Sequence, residues 1–222
     1  MVKPLLRVVI LLFLSSSTFG QLIKIKIENP DGLKGRKAIL LTREKGFAAT
    51  VHSLKIGYDS INLQMEKDLV PNLYQMQVSQ VKGSLFFFLE PGISIRLDTT
   101  DLSRSAVSNS KSNVEWHHFW QNIQKPSDER LQIYAAGEAR ARKKTQADSV
   151  DFWRGLQALE RIDLQTKTST FILDHRDSFV SLYLLKINWY AFKSLGIFEK
   201  LDPALARHRT YKFLKEKNKG NS

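Results

Sequence analysis

The order of apolar and polar positions changes once along the chain, near Ser110. Before that point apolar residues alternate in short runs. After it they recur at helical spacing. Leu22 to Glu28, LIKIKIE, alternates apolar and charged residues, the period of a half-exposed strand. Ala38 to Thr42 predicts a buried strand, and Thr50 to Ile56 the next. Ile61, Leu63 and Met65 alternate again, as does the stretch from Leu73 to Val78. Leu85 to Leu89, LFFFL, is a continuous aromatic-rich run too short for a helix, and Ile93, Ile95 and Leu97 alternate after it. Turn residues separate these runs: Asn29-Pro30-Asp31-Gly32, Glu44-Lys45-Gly46, Gly57-Tyr58-Asp59-Ser60 and Glu90-Pro91-Gly92. Proline presets φ in such turns, and glycine accepts a positive φ. Seven or eight short strands at near-regular spacing predict an antiparallel sandwich or barrel. Lys24 and Lys26 suit an edge strand that must resist aggregation.

The second half predicts helices. Trp116, Phe119, Trp120 and Ile123 stand at i, i+3, i+4 and i+7, which makes one helix face heavily aromatic. Ser110 or Ser112 can cap its start. Pro126 and Ser127 are expected to restart the chain, with a polar, alanine-rich helix from Glu129 to Lys144. Phe152, Leu156 and Leu159 mark another apolar stripe. Ser178 opens the longest apolar helix, through Val180, Leu184, Ile187 and Ala191, with Gly196 closing it as a C′ glycine. Asp202 before Pro203 is an N-cap followed by a first helical turn. The last helix runs towards Lys217. The expected fold class is therefore α+β. An N-terminal antiparallel β-sandwich or barrel-like domain (residues 21–110) precedes a helical segment (111–218) and a short disordered tail (219–222).

The N-terminus changes the picture of where such a domain works. Lys3 and Arg7 precede the apolar run Val8 to Leu14, followed by Ser15, Ser16, Ser17, Thr18 and then Gly20–Gln21. This is the order of a secretory signal peptide, expected over residues 1–20. The apolar run is far short of the ~20 residues that span a bilayer. No second such run follows, so the mature chain is expected to lack a transmembrane segment. The expected location is the periplasm, free or associated with the envelope.

The chain contains no cysteine. That excludes thiol chemistry, disulfides, cysteine metal sites and lipid attachment through a cysteine. Stability in an oxidising compartment must then come from core burial, which this length permits. The formal charge is +12 at pH 7. A basic exported protein is drawn to anionic lipid headgroups, acidic polysaccharide or acidic proteins. Export argues against nucleic acid as the partner.

Four stretches invite a chemical reading. In Glu115-Trp116-His117-His118-Phe119-Trp120 the neighbouring histidines point about 100° apart on a helix, so they do not converge on one ion. A zinc pair on a helix takes the i, i+4 spacing. The aromatics are expected to be core, with both histidines near its edge. Asp174-His175-Arg176-Asp177-Ser178 holds triad residue types, but adjacent residues rarely face each other, and no G-x-S-x-G elbow is present. Asp177 or Ser178 is expected to be a helix cap. Arg140-Ala141-Arg142-Lys143-Lys144 is one basic cluster; Arg207, Arg209, Lys212, Lys215, Lys217 and Lys219 form another. Either can dock on anionic lipid or an acidic partner, and a solvated helix face is the plainer expectation. Alternation puts Phe87 on one face of its strand and Phe86 and Phe88 on the other. A strand buried on both sides, between sheet core and helices, is expected there.

The strings Leu85-Phe86-Phe87-Phe88-Leu89-Glu90-Pro91-Gly92, Pro71-Asn72-Leu73-Tyr74, Val107-Ser108-Asn109-Ser110-Lys111-Ser112-Asn113 and Ser178-Phe179-Val180-Ser181-Leu182-Tyr183-Leu184-Leu185 combine in a distinctive order. Together they resemble a domain of unknown function, DUF4369-like, over nearly the whole mature chain. That domain precedes thioredoxin-like domains of the TlpA or AhpC-TSA type in exported proteins of Bacteroidetes-type bacteria. The resemblance implies an accessory half, here without the thioredoxin domain that carries the redox cysteines. No catalytic, cofactor-binding or metal residue is carried over.

The expected function is a non-catalytic periplasmic accessory or binding module without a cofactor. Its partner would be a protein, a thioredoxin-like one among them, or a cell-envelope ligand. Its groove would lie where the sheet meets the helix of Trp116 and Trp120. The alternative is one part of a split or truncated thiol-disulfide oxidoreductase whose redox domain is encoded separately.

Overall fold

Ile23, Ile25 and Ile27 alternate with charged residues along β1 (Gln21–Glu28), and all three are buried. The computed structural model of the protein describes residues 21–28, 31–42, 49–57, 60–65 and 70–219. Two four-stranded sheets form its N-terminal part. In the first, β1 pairs antiparallel with β4 (Ser60–Met65) and parallel with β7 (Ser94–Arg96), and β8 (Ala106–Ser108) pairs antiparallel with β7. In the second, the order is β3 (Ala49–Lys55), β2 (Lys37–Thr42), β5 (Asn72–Val78) and β6 (Leu85–Leu89), antiparallel throughout. Inward side chains of both sheets share one core. It takes Ile23, Ile25 and Ile27 from β1, Leu63 from β4, Leu40 from β2, Met76 from β5 and Phe87 from β6. Period-2 alternation makes one face of each strand apolar, and two such faces exclude water by packing on each other.

The α+β class and the strand positions agree with the sequence pattern. Three expectations need correction or placement. β1 lies between β4 and β7, so it is not an edge strand. Lys24 and Lys26 instead stand exposed on the outer face of their sheet. Alternation fixes the face a side chain takes, whereas neighbours in the sheet are chosen by long-range pairing. β8 escaped the sequence pattern because three residues are too few to show a period. The turns at Asn29-Pro30, Glu44-Lys45-Gly46 and Tyr58-Asp59 fall outside the described residues. Gly92 turns the chain after β6 with φ of 81°.

Ser110 caps α1 (Lys111–Phe119), its Oγ accepting the Asn113 N–H at 2.9 Å. The helix does not stop at Pro126. It passes through a π-helical turn (Trp120–Gln124) into α2 (Lys125–Lys143). Proline has no N–H and its ring crowds the carbonyl four residues back. The widened turn, in which the Lys125 N–H reaches the Trp120 carbonyl, accommodates the ring without ending the helix.

α3 (Ala147–Asp174) runs back along α2. The expected apolar stripe does not face α2: Phe152 and Leu159 are exposed, while Gln157 and Glu160 are buried. Arg130 grips Glu160 with two bonds of 2.6 and 2.8 Å, and Gly137 leaves room for the ring of Trp153. A charged and hydrogen-bonded seam holds this hairpin.

α4 (Phe179–Ile187) also ends early. The Asn188 side-chain amide donates to the Leu184 carbonyl at 2.9 Å, so the chain restarts as the short α5 (Trp189–Phe192). Gly196, with φ of 59°, then closes the following 3-10 turn. Asp202 caps the 3-10 turn Pro203–Arg207, accepting the Ala204 N–H at 2.7 Å. α6 (Arg209–Lys219) completes the fold.

A second core joins these helices. It includes Phe119 of α1, Phe171 of α3, Leu184 of α4 and Leu214 of α6, and also Phe88 of β6. Phe87 belongs to the sandwich core and Phe88 to the helical one. As expected, β6 is buried on both sides at these two residues. Phe86 departs from that expectation and is 43% exposed.

Candidate binding groove

Antiparallel register lines up Leu41 of β2, Gln75 of β5 and Phe86 of β6 in one row on the outer face of the second sheet. Leu73 and Phe88 form the adjacent row. Helices cover the second row, and in the first Gln75 is half-buried and Phe86 exposed. The result is a groove of about 1260 Å³. Leu41, Leu73, Gln75 and Phe86 form its floor. Val114, Trp116, His117, Trp120 and Gln124 of α1 and the π turn form one wall. Tyr183, Leu184 and Ile187 of α4 also line it, and the segment Ser103–Val107 closes an end. The sequence placed a groove where the sheet meets the helix of Trp116 and Trp120, and the cavity lies there.

Aromatic packing sets the wall. Trp116 is the hub: Phe88, Phe119, Trp120 and Tyr183 all have ring centroids 5.9–6.0 Å from it. Trp116 is half-buried and tied to the second core, while Trp120 is exposed into the groove. Val114, Phe86 and Ile187 are exposed there as well. These side chains leave an apolar surface open to solvent that the core does not need, the usual mark of a recognition surface. The π turn adds to this, because such turns displace side chains from the regular helical spiral and recur at functional sites.

Polar groups are few and held in place. Gln75 Nε2 donates to Ser84 Oγ at 2.9 Å, and Gln124 Nε2 donates to Asp128 at 2.9 Å. The backbone of β6 supplies more. Asn113 takes both polar groups of Phe88: its Oδ1 accepts the Phe88 N–H at 2.8 Å and its Nδ2 donates to the Phe88 carbonyl at 2.7 Å. These groups therefore point away from β5. In an antiparallel ladder residues alternate between facing the partner strand and facing away. Phe86, two residues earlier, thus directs its N–H and C=O to the same side, away from β5.

The end segment is rigid. Asp98 Oδ1 accepts from the Thr100 hydroxyl at 2.7 Å and from the backbone N–H groups of Thr100 and Asp101 at 2.9 Å. These bonds, led by the Thr100 hydroxyl, lower the Asp98 carboxyl to about 2. The Asp98 N–H donates to Ser105 Oγ at 3.0 Å, fixing the groove end. Hydrogen bonds from the Ser103 hydroxyl and N–H also lower Asp101.

The other sequence candidates separate in space. His117 faces the groove, whereas His118 stacks on Phe171 at 6.3 Å. Both histidines are exposed, and His118 packs at the edge of the second core. Among the described residues no three His, Cys, Asp or Glu side chains group as a metal site. His175 stacks on Phe171 at 4.2 Å and its Nδ1 lies 2.9 Å from the Phe171 carbonyl. Asp177 pairs with Lys111 at 2.7 Å, which lowers the Asp177 carboxyl and raises the Lys111 ammonium. Ser178 caps α4, accepting the Val180 N–H at 3.0 Å, and its hydroxyl donates to Glu115. The triad residue types thus tie α1 to α4. In the first basic cluster, Arg142 binds Glu138 at 2.6 Å. The second cluster lies on and before α6. No helix among the described residues is long and apolar enough to cross a membrane.

Asn113, Gln75, Tyr183 and the Ser103–Val107 segment were not legible as groove residues. Ser110 or Ser112 was expected as a local cap, and nothing in the sequence linked Asn113 to Phe88. No protein-family model, curated protein or solved structure matches the chain.

Proposed function

We propose that the chain is a non-catalytic binding module of an exported protein, and that its groove takes an extended apolar peptide segment along the edge of β6. One observation carries this reading: the groove is lined by an edge strand whose Phe86 backbone groups point away from β5, beside exposed aromatic and aliphatic side chains. Adding a strand to such an edge uses main-chain hydrogen bonds for affinity and side-chain pockets for specificity. Asn113 already makes the two bonds that an incoming residue would make, one register position further along at Phe88. Trp120, Val114 and Ile187 would cover the alternate apolar side chains of the guest. The chain's lack of cysteine fits a role in holding rather than electron transfer. The sequence resemblance to the accessory half of thioredoxin-like proteins makes a thioredoxin-like protein in the periplasm the first source to try for the guest segment.

The test is a displayed random-peptide library followed by tryptophan-fluorescence titration of the enriched sequences. Enriched peptides are expected to be apolar at alternate positions. N-methylation of the guest's main-chain amides should weaken binding at least about tenfold, the scale of one or more charge-free hydrogen bonds lost, and Phe86→Glu in the protein should weaken it by placing a carboxylate on the apolar floor. Enriched peptides that bind Phe86→Glu as tightly as the parent protein would sink the reading.

A further inference from the structure

A second surface, separate from the groove in its chemistry, is built by α4, α5 and α6. Phe213 sits on the basic helix α6 and is 45% exposed, while Thr210 and Leu214 of that helix are buried. Tyr190 of α5 is 78% exposed. Core packing accounts for neither ring. Three lysines interleave with them in an unbroken chain of contacts. Lys186 Nζ lies 6.0 Å from the Phe213 centroid, Lys217 Nζ lies 5.0 Å from Phe213 and 5.1 Å from Tyr190, and Lys193 Nζ lies 6.0 Å from Tyr190. The exposed Leu195 lies two residues after Lys193. Between residues 179 and 219 the chain carries nine Lys and Arg against Glu199, Asp202 and Glu216.

We propose that this face docks the protein on an anionic lipid bilayer. Charge complementarity selects the occupant class, and the residue types select the bilayer within it. Lysine is a hydrated point charge on a flexible stem, which reads charge density rather than the fixed shape of one carboxylate. Its stem lies along apolar surface while the ammonium stays in water. Exposed tyrosine and phenylalanine suit the headgroup boundary, where one end of the ring is wet and the other apolar. A basic helix with an outward ring, beside a second ring held by the same lysines, combines both contributions. Each lysine near an anionic surface strengthens binding about fivefold, and the attraction fades within a Debye length.

The test is co-sedimentation of the full chain with neutral phosphatidylcholine vesicles and with vesicles containing phosphatidylglycerol, at low and high salt. A form spanning residues 21–222 runs alongside, so that the anionic-minus-neutral difference is read without the apolar N-terminal run. Binding is expected on the anionic vesicles at low salt and should fall at high salt. The variant K186Q/K193Q/K217Q should lose on the order of a hundredfold in partitioning. Y190S/F213S should bind more weakly while keeping its salt dependence. K193Q alone changes one exposed side chain, and about a fivefold loss is expected from it even if the multiple variants unfold. Equal binding to neutral and anionic vesicles, absence of binding to either, or undiminished binding by K193Q and the triple variant would overturn the proposal. Capture of an acidic protein without vesicle binding would overturn it too.

Discussion

The Asn113 side chain completes the edge of β6 at Phe88, donating to its carbonyl at 2.7 Å and accepting its N–H at 2.8 Å. A single amide on a helix thus acts as one residue of a missing strand. Asn113 is itself buried, and its Nδ2 also reaches Ser110 Oγ at 2.7 Å. Helix cap, helix and sheet edge are joined at this point. Asn113→Ala leaves two buried backbone groups without partners, each costing about 1–3 kcal/mol. We expect a loss of about 2–4 kcal/mol in urea denaturation, with faster amide exchange at Phe88. An unchanged midpoint would show that water replaces the amide freely.

The α2–α3 hairpin should respond to acid through Glu138. Bonds from Arg142, then Gln157 and Arg154, hold its carboxyl at about 2. Because the folded value is depressed, the unfolded chain takes up the proton first. The stabilisation is present above the ordinary glutamate value of about 4.5 and is lost as pH falls through about 2. Glu160, lowered chiefly by its bond from Arg130, acts in the same direction. Thermal melts followed by helical circular dichroism should show Tm falling across this window, with a shallower slope in Glu138→Gln.

Gly137 stands where a Cβ would lie 2.5 Å from ring atoms of Trp153. Alanine is the better helix former by about 0.5–1 kcal/mol, but overpacking a rigid ring costs about 1–3 kcal/mol. The crowding should win. Gly137→Ala is expected to lower stability, and Trp153→Leu in the same chain should remove the penalty. A double-mutant cycle in urea measures the coupling.

Pro126 and the π turn form a fourth testable unit. Pro126→Ala restores an N–H and removes the ring, so the segment can tighten into regular helix. Stability should rise by up to about 3 kcal/mol, the cost of proline inside a helix. Trp120 and Gln124 would then shift around the helix and away from their present positions on the groove wall. Peptides selected on the parent protein should bind the variant more weakly in a fluorescence titration, although it is the more stable protein.

Much of the sheet was legible because alternation is a local signal. Ile23, Ile25 and Ile27 state which face of β1 is buried without reference to any other strand. The helical half was less legible, for an identifiable reason. Phe152 and Leu159 look like a core stripe, yet the ion pair of Arg130 with Glu160 and the Gly137–Trp153 contact turn the opposite face of α3 inward. Those contacts join residues 16–30 positions apart, beyond the reach of helical periodicity. The aromatic wall of the groove was foreseen, since Trp116 and Trp120 share one helix face. Its floor was not, because Leu41, Gln75 and Phe86 become neighbours only through strand register.

By itself, the sequence determined the α+β division near Ser110, the strand faces, the cap at Asp202, the cap at Ser110 or Ser112 and at Asp177 or Ser178 as pairs, and the absence of cysteine chemistry. These follow from local periodicity, local hydrogen bonding and composition. Only the tertiary structure decided that β6 is an edge strand, that its Phe88 is sealed by Asn113 while Phe86 opens into a groove, and that Lys186, Lys193 and Lys217 meet around two exposed rings. Each of these depends on segments far apart in the chain being brought together, and pairing across such distances is set by the packing of the whole fold rather than by any one stretch of residues.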